Sequence, residues 1–224
     1  MDNNTRDVAT RAETALATAD YYEKYGQVAS GRRFVGDLLK FGKDGIYVAG
    51  QESREIARGT QMVAYMATLR CGWVCWEDGR PVEEVMGLVG KGFMPPKRSA
   101  LGRNDKSLWE EFDGGEPRDP WQFSNDIVLF DPQDKQFYTF VTSSQGGLGA
   151  LGELSKEYGQ RLRQQPGEWP VVSLEGSSYQ HRIRSRGRIK YPILRRIKWV
   201  AVKDQPALEN AEQLQVEDQN LPGF

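Results

Sequence analysis

Histidine and cysteine are almost missing from this sequence of 224 residues. It contains one histidine, His181, and two cysteines, Cys71 and Cys75. A single imidazole excludes metal sites built from several histidines, and these three residues cannot complete a structural zinc site without carboxylates. Two cysteines do not make a disulfide framework, and in the strand-like segment CGWVC they are typical of small buried side chains. The chemistry has to be sought in other residue types.

Long apolar runs are absent as well. No stretch approaches the roughly 20 residues that span a bilayer. The N-terminal segment MDNNTRDVATRAETALATAD lacks the apolar centre of a secretory signal. We therefore expect a cytoplasmic protein with no membrane partner.

Charge is balanced overall but unevenly distributed along the chain. The formal net charge is −1, yet residues 181–203, HRIRSRGRIKYPILRRIKWVAVK, carry nine Lys or Arg and no acid. Removing these nine charges from the total leaves −10 for the remainder of the chain. A dense cationic run without neighbouring acids creates a local field that attracts anionic polymers.

The pattern of apolar residues predicts mostly strands and one late helix. Turn residues between apolar runs, such as Lys43-Asp44-Gly45, indicate hairpins, and apolar residues three and four apart predict a helix over 147–164. Several strands, a helix and two final strands match the order of an OB-fold, which is a small β-barrel. We predict a mainly β (α+β), OB-like barrel; other barrels and α+β sheets share this order of elements.

Composition divides the chain into three parts. Residues 1–30 have no convincing apolar face and are predicted to be a mobile arm, and residues 31–203 are predicted to form a single OB-like domain. Within that domain, residues 90–120 are rich in Gly, Pro and charge, which indicates a long irregular insertion. Residues 204–224 contain five acids and no base, and they are predicted to be an acidic, disordered tail.

Cations occupy every second position at the start of the basic run. If this segment is one strand, they share a face at a spacing of about 6.6 Å, near the phosphate repeat of an extended single strand. Arginine binds phosphate through paired hydrogen bonds and also stacks on bases. The simpler alternative is a solvated edge strand. The predicted phosphate-binding residues are Arg182, Arg184, Arg186, Arg188 and Lys190, followed by Arg195, Arg196 and Lys198.

Aromatic side chains supply the second part of a nucleic-acid interpretation. Bases stack on exposed rings without sequence preference, and each contributes about 1–3 kcal/mol. The alternative for any single ring is a place in the core. The rings predicted to be exposed, near the cations or at a polar strand end, are Trp76, Tyr138, Tyr179 and Trp199.

The C-terminal segment VEDQNLPGF carries a family resemblance. Through Glu217, Asp218, Leu221, Pro222 and Phe224 it resembles the acidic, Phe-terminated tip of bacterial and phage single-stranded DNA-binding proteins. The resemblance covers fewer than ten residues, together with the layout of a basic β-domain before an acidic tail. Here the acids are sparser and a glycine precedes the final residue. The resemblance implies a tip that docks replication or recombination proteins and competes with DNA; an ordinary frayed terminus is the alternative.

Two enzymatic interpretations remain as alternatives. The segment GLGALG, Gly147 to Gly152, fits the spacing of a dinucleotide- or phosphate-binding loop that opens a helix. However, no further helix-strand units follow it to build a parallel sheet. Carboxylate pairs such as Glu83-Glu84 and Glu110-Glu111 could hold Mg²⁺ in a nuclease, but their spacing fixes no geometry.

Together these features predict a non-enzymatic single-stranded DNA-binding protein of replication or recombination that uses no cofactor. Its expected partners are single-stranded DNA and, through the tail, replication or recombination proteins of a bacterial or phage-infected cell. The sequence leaves homo-oligomerisation open. A module that binds an acidic protein or RNA through the basic run is the second class of function.

Overall fold

A computed structural model of the chain describes residues 34–112 and 116–208. The chain divides into two units, Met1–Phe34 and Val35–Phe224. The predicted N-terminal arm, residues 1–30, lies outside the described residues. Apart from Phe34, the described residues all belong to the second unit.

Twelve strands and one α-helix are found in the described residues. The first six strands are β1 Asp37–Phe41, β2 Tyr47–Ala49, β3 Arg54–Ile56, β4 Gln61–Ala64, β5 Arg70–Glu77 and β6 Arg80–Leu88. The others are β7 Glu111–Phe112, β8 Glu116–Pro117, β9 Trp121–Asp131, β10 Gln136–Thr142, β11 Glu168–Gln180 and β12 Arg188–Ala201. The helix, α1, covers Gln145–Gln164 and stands between β10 and β11.

Ten strands form one sheet, and β7 pairs with β8 separately. The order along the sheet is β12-β11-β4-β9-β10-β1-β2-β3, while β5 pairs with β9 and carries β6 on its other side. Strand β1 runs parallel to β10, and the other pairs are antiparallel. The sheet curls strongly into a half-barrel, so the predicted mainly β, OB-like fold with one helix is confirmed.

The central strands are buried on both faces because two clusters pack against them. Side chains alternate between the faces of a strand. In β9, Leu129 belongs to the larger cluster, which also includes Leu151 and Leu154 of α1, and Val128 belongs to the smaller one. Each fully buried large apolar side chain contributes roughly 1.5–3 kcal/mol. Because both faces are buried, aromatic residues at odd and at even positions along these strands are core residues.

The helix begins where its sequence signals predict. The Ser144 hydroxyl caps it by accepting a hydrogen bond from the Gly147 N–H at 3.1 Å. A Cβ at Gly147 would lie 1.9 Å from the Thr142 hydroxyl, so this glycine allows the helix to pack against the end of β10. No helix among the described residues is long and apolar enough to cross a membrane.

The packed domain extends beyond residue 203. The Tyr65 hydroxyl donates to the Pro206 carbonyl at 2.9 Å, and Leu208 packs against the smaller cluster. Burial raises the pKa of Tyr65 to about 12, so this phenol stays a donor. The first five residues of the predicted tail therefore belong to the folded domain, and residues 209–224 lie outside the described part.

Candidate nucleic-acid interface

The basic run is the second half of a long hairpin whose tip is a loop. Strands β11 and β12 pair from Glu168 with Ala201 up to Gln180 with Arg188. Residues 181–187 between them form a loop with a 3-10 turn at Arg184–Arg186. The prediction that Arg182, Arg184 and Arg186 follow a strand is therefore wrong, although Arg188 and Lys190 do lie in β12.

Gly187 is the physical reason for this break in the strand. Its φ of 64° lies in the left-handed region that favours glycine. Its N–H donates to the Arg184 carbonyl at 3.0 Å, and its own carbonyl accepts from the His181 N–H at 3.0 Å. The sequence Ser-Arg-Gly is a turn signal that the alternation of arginines conceals.

We call the tip of this hairpin, residues 179–191, the basic arm. Arg182, Arg184 and Arg188 are exposed in it. Arg188 also donates to the Ser178 hydroxyl at 3.2 Å, and the Lys190 ammonium donates to the Asp44 carbonyl in the turn between β1 and β2. Carbonyl and hydroxyl partners leave these charges unneutralised, so the arm keeps a concentrated positive field.

The basic arm also exposes apolar and aromatic surface. Tyr179 is 50% exposed and Ile183 is 53% exposed. The ring of Tyr179 lies 6.1 Å from that of Tyr191, at an angle of 49°. A half-exposed ring among cations is the arrangement on which a base can stack while its phosphates are neutralised.

The second half of β12 carries cations that the fold already uses in part. Arg195 and Lys198 are exposed. Arg196 pairs with Glu157 of α1 and lies 5.4 Å from the centre of the Trp199 ring, while Arg161 lies 5.5 Å from the same centre. The predicted stacking role of Trp199 therefore competes with contacts inside the chain.

Tyr138 is not a surface residue, and its predicted exposure is wrong. It is fully buried in the larger cluster, and its strand pairs with β9 on one side and β1 on the other. Arg54 donates to its hydroxyl at 2.7 Å. The hydroxyl of Tyr138 therefore has a hydrogen-bond partner, while its aromatic ring packs in the core.

Trp76 lies at the other end of the sheet. It stands next to the last residue of β5, where the ladder to β6 shifts register between Cys75 and Trp76. The pairing of β5 with β9, of β9 with β4 and of β4 with β11 shows that the β5–β6 and β11–β12 tips point in opposite directions. Following the paired residues from Cys75 along β9 and then along β11 to Tyr179 takes about 17 residue positions. This corresponds to about 55 Å of extended strand. Trp76 and the basic arm therefore do not form one site.

Trp76 instead lines a cleft of about 630 Å³, which we call the tryptophan cleft. Its walls come from the tip of the β5–β6 hairpin, the start of β9 and the segment before it. Trp109, Leu108 and Pro120 provide apolar surface. The charged residues of its lining are Glu77, Asp78, Asp105, Glu110 and Asp119, together with Arg103 and Arg118.

Arg98 holds the wall of this cleft in place. Its guanidinium makes a bidentate contact with the Asp119 carboxylate, in which both hydrogen bonds are 2.7 Å long. It also donates to the carbonyls of Gly102 and Arg103 and to the Asn104 side chain. The indole N–H of Trp109 donates to the Arg103 carbonyl at 2.8 Å. The predicted irregular insertion is thus folded over the end of the sheet. Sequence reasoning did not identify Arg98 or Trp109 as site residues.

The glycine-rich segment does not have the topology of a dinucleotide site. After α1 the chain enters β11, which pairs antiparallel with β4 and β12 and is not next to β10. A dinucleotide fingerprint requires neighbouring parallel strands on either side of the helix. Among residues 34–112 and 116–208, no group of three or more His, Cys, Asp or Glu side chains is placed to hold a metal ion.

The predicted partner-docking residues of the C-terminal tip, Glu217, Asp218, Leu221, Pro222 and Phe224, lie outside the described residues. Comparison of the chain with protein-family models, with curated proteins and with solved structures returned no match.

Proposed function

We propose that this chain binds single-stranded DNA without sequence preference and that the basic arm is its principal contact with the strand. The observation that carries the proposal is the exposed cluster of Arg182, Arg184 and Arg188 beside the half-exposed ring of Tyr179. Arginine supplies paired hydrogen bonds to phosphate, and the tyrosine ring offers a stacking surface. No catalytic step is part of the proposal.

The position of the basic arm in the fold supports this assignment. In OB-folds the loop between the last two strands is one of those that bind oligonucleotides. Here the arm joins the two strands that follow the helix, at the edge of the curled sheet. Exposed Arg195 and Lys198 lie farther along β12, on the opposite face of the strand from Arg188 and Lys190. Exposed cations therefore stand near both ends of this edge strand.

A single strand fits the basic arm better than a duplex. Stacking on Tyr179 requires a base whose face is free, and the bases of a duplex are stacked on each other. In this proposal the protein acts in replication or recombination in the cytoplasm. The tip Glu217–Phe224 docks partner proteins, as its resemblance to the acidic tips of single-stranded DNA-binding proteins implies.

A titration of labelled oligo-dT, followed by fluorescence anisotropy at several salt concentrations, tests the proposal. Binding should weaken steeply with salt, with log K falling by about 0.7 per phosphate neutralised. Anisotropy is the suitable signal because none of the six tryptophans lies in the basic arm. Duplex DNA of the same length should bind more weakly. Absence of salt-sensitive binding to oligo-dT would overturn the proposal, and equal binding of oligo-U would extend it to RNA.

A further inference from the structure

The two ends of the sheet carry opposite charge. The lining of the tryptophan cleft has five carboxylates and two guanidiniums, and Arg98 pairs with one of the carboxylates, Asp119, which leaves an excess of two negative charges. Arg103 contacts Glu77, and hydrogen bonds from Ser107 lower the pKa of Asp105 so that this carboxylate stays ionised. At the other end, the basic arm has exposed arginines and no acid. Charge complementarity of this kind favours contact between the two ends.

The two surfaces also match in their apolar parts. Leu108, which lines the cleft, is 81% exposed, and the indoles of Trp76 and Trp109 stand beside it. In the basic arm, Ile183 stands between two arginines and is itself exposed. A volume of about 630 Å³ lies within the range, about 300–1,000 Å³, of clefts that take up ligands. An apolar side chain flanked by cations therefore matches the apolar and acidic residues of this lining in polarity and charge.

Contacts within the chain already hold the walls of the tryptophan cleft in place. The contacts of Arg98 with Asp119, Gly102, Arg103 and Asn104 fix its outer wall, and the Pro120 carbonyl accepts a hydrogen bond from the backbone N–H of Trp76 at 2.9 Å. A wall that is already ordered loses little conformational entropy on binding. The order of this segment is consistent with a binding surface at the end of the sheet.

The basic arm cannot reach the cleft of its own molecule, because the two tips point in opposite directions about 55 Å of strand apart. We propose that the tryptophan cleft receives the basic arm of a second copy of this chain. Such a contact joins two different surfaces, so a pair of copies keeps one free arm, on one copy, and one free cleft, on the other. Repetition gives an open, head-to-tail chain of copies rather than a closed dimer. The contact between copies does not require DNA binding, and an arm seated in a cleft is not available to DNA, so assembly and DNA binding compete for the arm.

Sedimentation velocity on the full chain, with two complementary variants, tests the head-to-tail contact. The arm variant is Arg182→Glu with Arg184→Glu, and the cleft variant is Leu108→Lys with Glu110→Gln; the residues changed are exposed. The wild-type chain should form species that grow with concentration and dissociate with salt. Each variant alone should sediment as a monomer. An equimolar mixture should form a dimer and nothing larger, because it restores one intact arm and one intact cleft.

The matched control is Met94→Lys with Glu52→Gln, which makes the same charge change at exposed positions outside the cleft. The control should assemble as the wild type does. The cleft variant should assemble at least about tenfold more weakly than the wild type. Circular dichroism should show that all variants are folded. A monomeric wild type would overturn the proposal, as would a wild-type dimer that persists in the cleft variant. An assembly weakened equally in the control would also overturn it, because net charge alone would then explain it.

Discussion

Two hairpins leave the same curled sheet at opposite ends, and their tips are built differently. The tip of β11–β12 is a loop with exposed arginines and a half-exposed tyrosine. The tip of β5–β6 is enclosed by a folded insertion that Arg98 fixes to Asp119. The first arrangement suits a flexible polymer that needs charge and a stacking ring. The second suits a partner whose side chains fit a formed cleft. Cations stand beside rings at both tips, but in different ways. Arg98 and Lys106 lie 5.9 and 5.7 Å from the centre of the Trp109 ring, whereas Tyr179 is a half-exposed ring beside the exposed arginines of the basic arm.

The largest expected effect comes from reversing charge in the basic arm. Arg182→Glu with Arg184→Glu should weaken oligo-dT binding by about 100-fold near 0.1 M salt, because each phosphate left without its arginine costs about fivefold and repulsion is added. Fluorescence anisotropy measures the change. Lys91→Glu with Lys97→Glu makes the same charge change in the insertion and should have a much smaller effect. If the two pairs weaken binding equally, the arm is not a distinct site.

A smaller effect is expected from the ring in the arm. Tyr179→Ala should weaken oligo-dT binding by about tenfold through loss of base stacking, whereas Tyr179→Phe should bind as the wild type does. The salt dependence should stay the same in both variants because no charge changes. Equal losses for alanine and phenylalanine would show that the hydroxyl, and not stacking, makes the contact.

A change at the other end of the sheet should affect stability and not DNA binding. Arg98→Ala removes the contacts with Asp119 and the loop carbonyls, and it should lower the free energy of unfolding by about 1 kcal/mol. Denaturant unfolding measures this loss. Oligo-dT affinity should be unchanged at protein concentrations at which the chain is monomeric. A fall in DNA affinity at full folding would contradict the separation of the two ends.

The smallest effect concerns the two thiols near the cleft end. Burial raises the pKa of Cys71 and of Cys75, so the reactive thiolate is scarce at neutral pH. Alkylation by iodoacetamide should be slow in the folded protein, should speed up only above the ordinary pH range of thiol ionisation, and should not change when oligo-dT is bound. Mass spectrometry follows it. Protection of Cys75 by DNA would place the strand at the wrong end of the sheet for this account.

Local pattern was enough to predict the helix and the longer strands, because their side-chain periods are visible in the sequence. The spacing of Leu151 and Leu154 predicted a helix over 147–164, and the helix covers Gln145–Gln164. The glycines, prolines and charges of residues 90–120 predicted an irregular segment. The sequence could not show that Arg98 and Asp119, 21 residues apart, would fix this segment into a cleft wall. That contact depends on where the fold brings them.

The candidate site was predicted only in part for the same reason. Alternation of arginines suggested one continuous strand, but Gly187 with its positive φ ends the pairing and turns three of these residues into a loop. Tyr138 is predicted from the sequence to be an exposed ring near the cations. It is buried because β1 and β9 flank it and α1 helps to cover the cluster it joins. Burial of that kind arises from distant segments, which local sequence does not reveal.

The salt dependence of oligo-dT binding by an alanine variant of the basic arm tests the central claim most directly. Arg182→Ala with Arg184→Ala removes two phosphate-binding side chains without adding repulsion. The slope of log K against log salt should become shallower than that of the wild type by about 1.4, which is about 0.7 for each phosphate that is no longer neutralised. An unchanged slope would contradict the account, because the strand would then be held by cations elsewhere on the molecule.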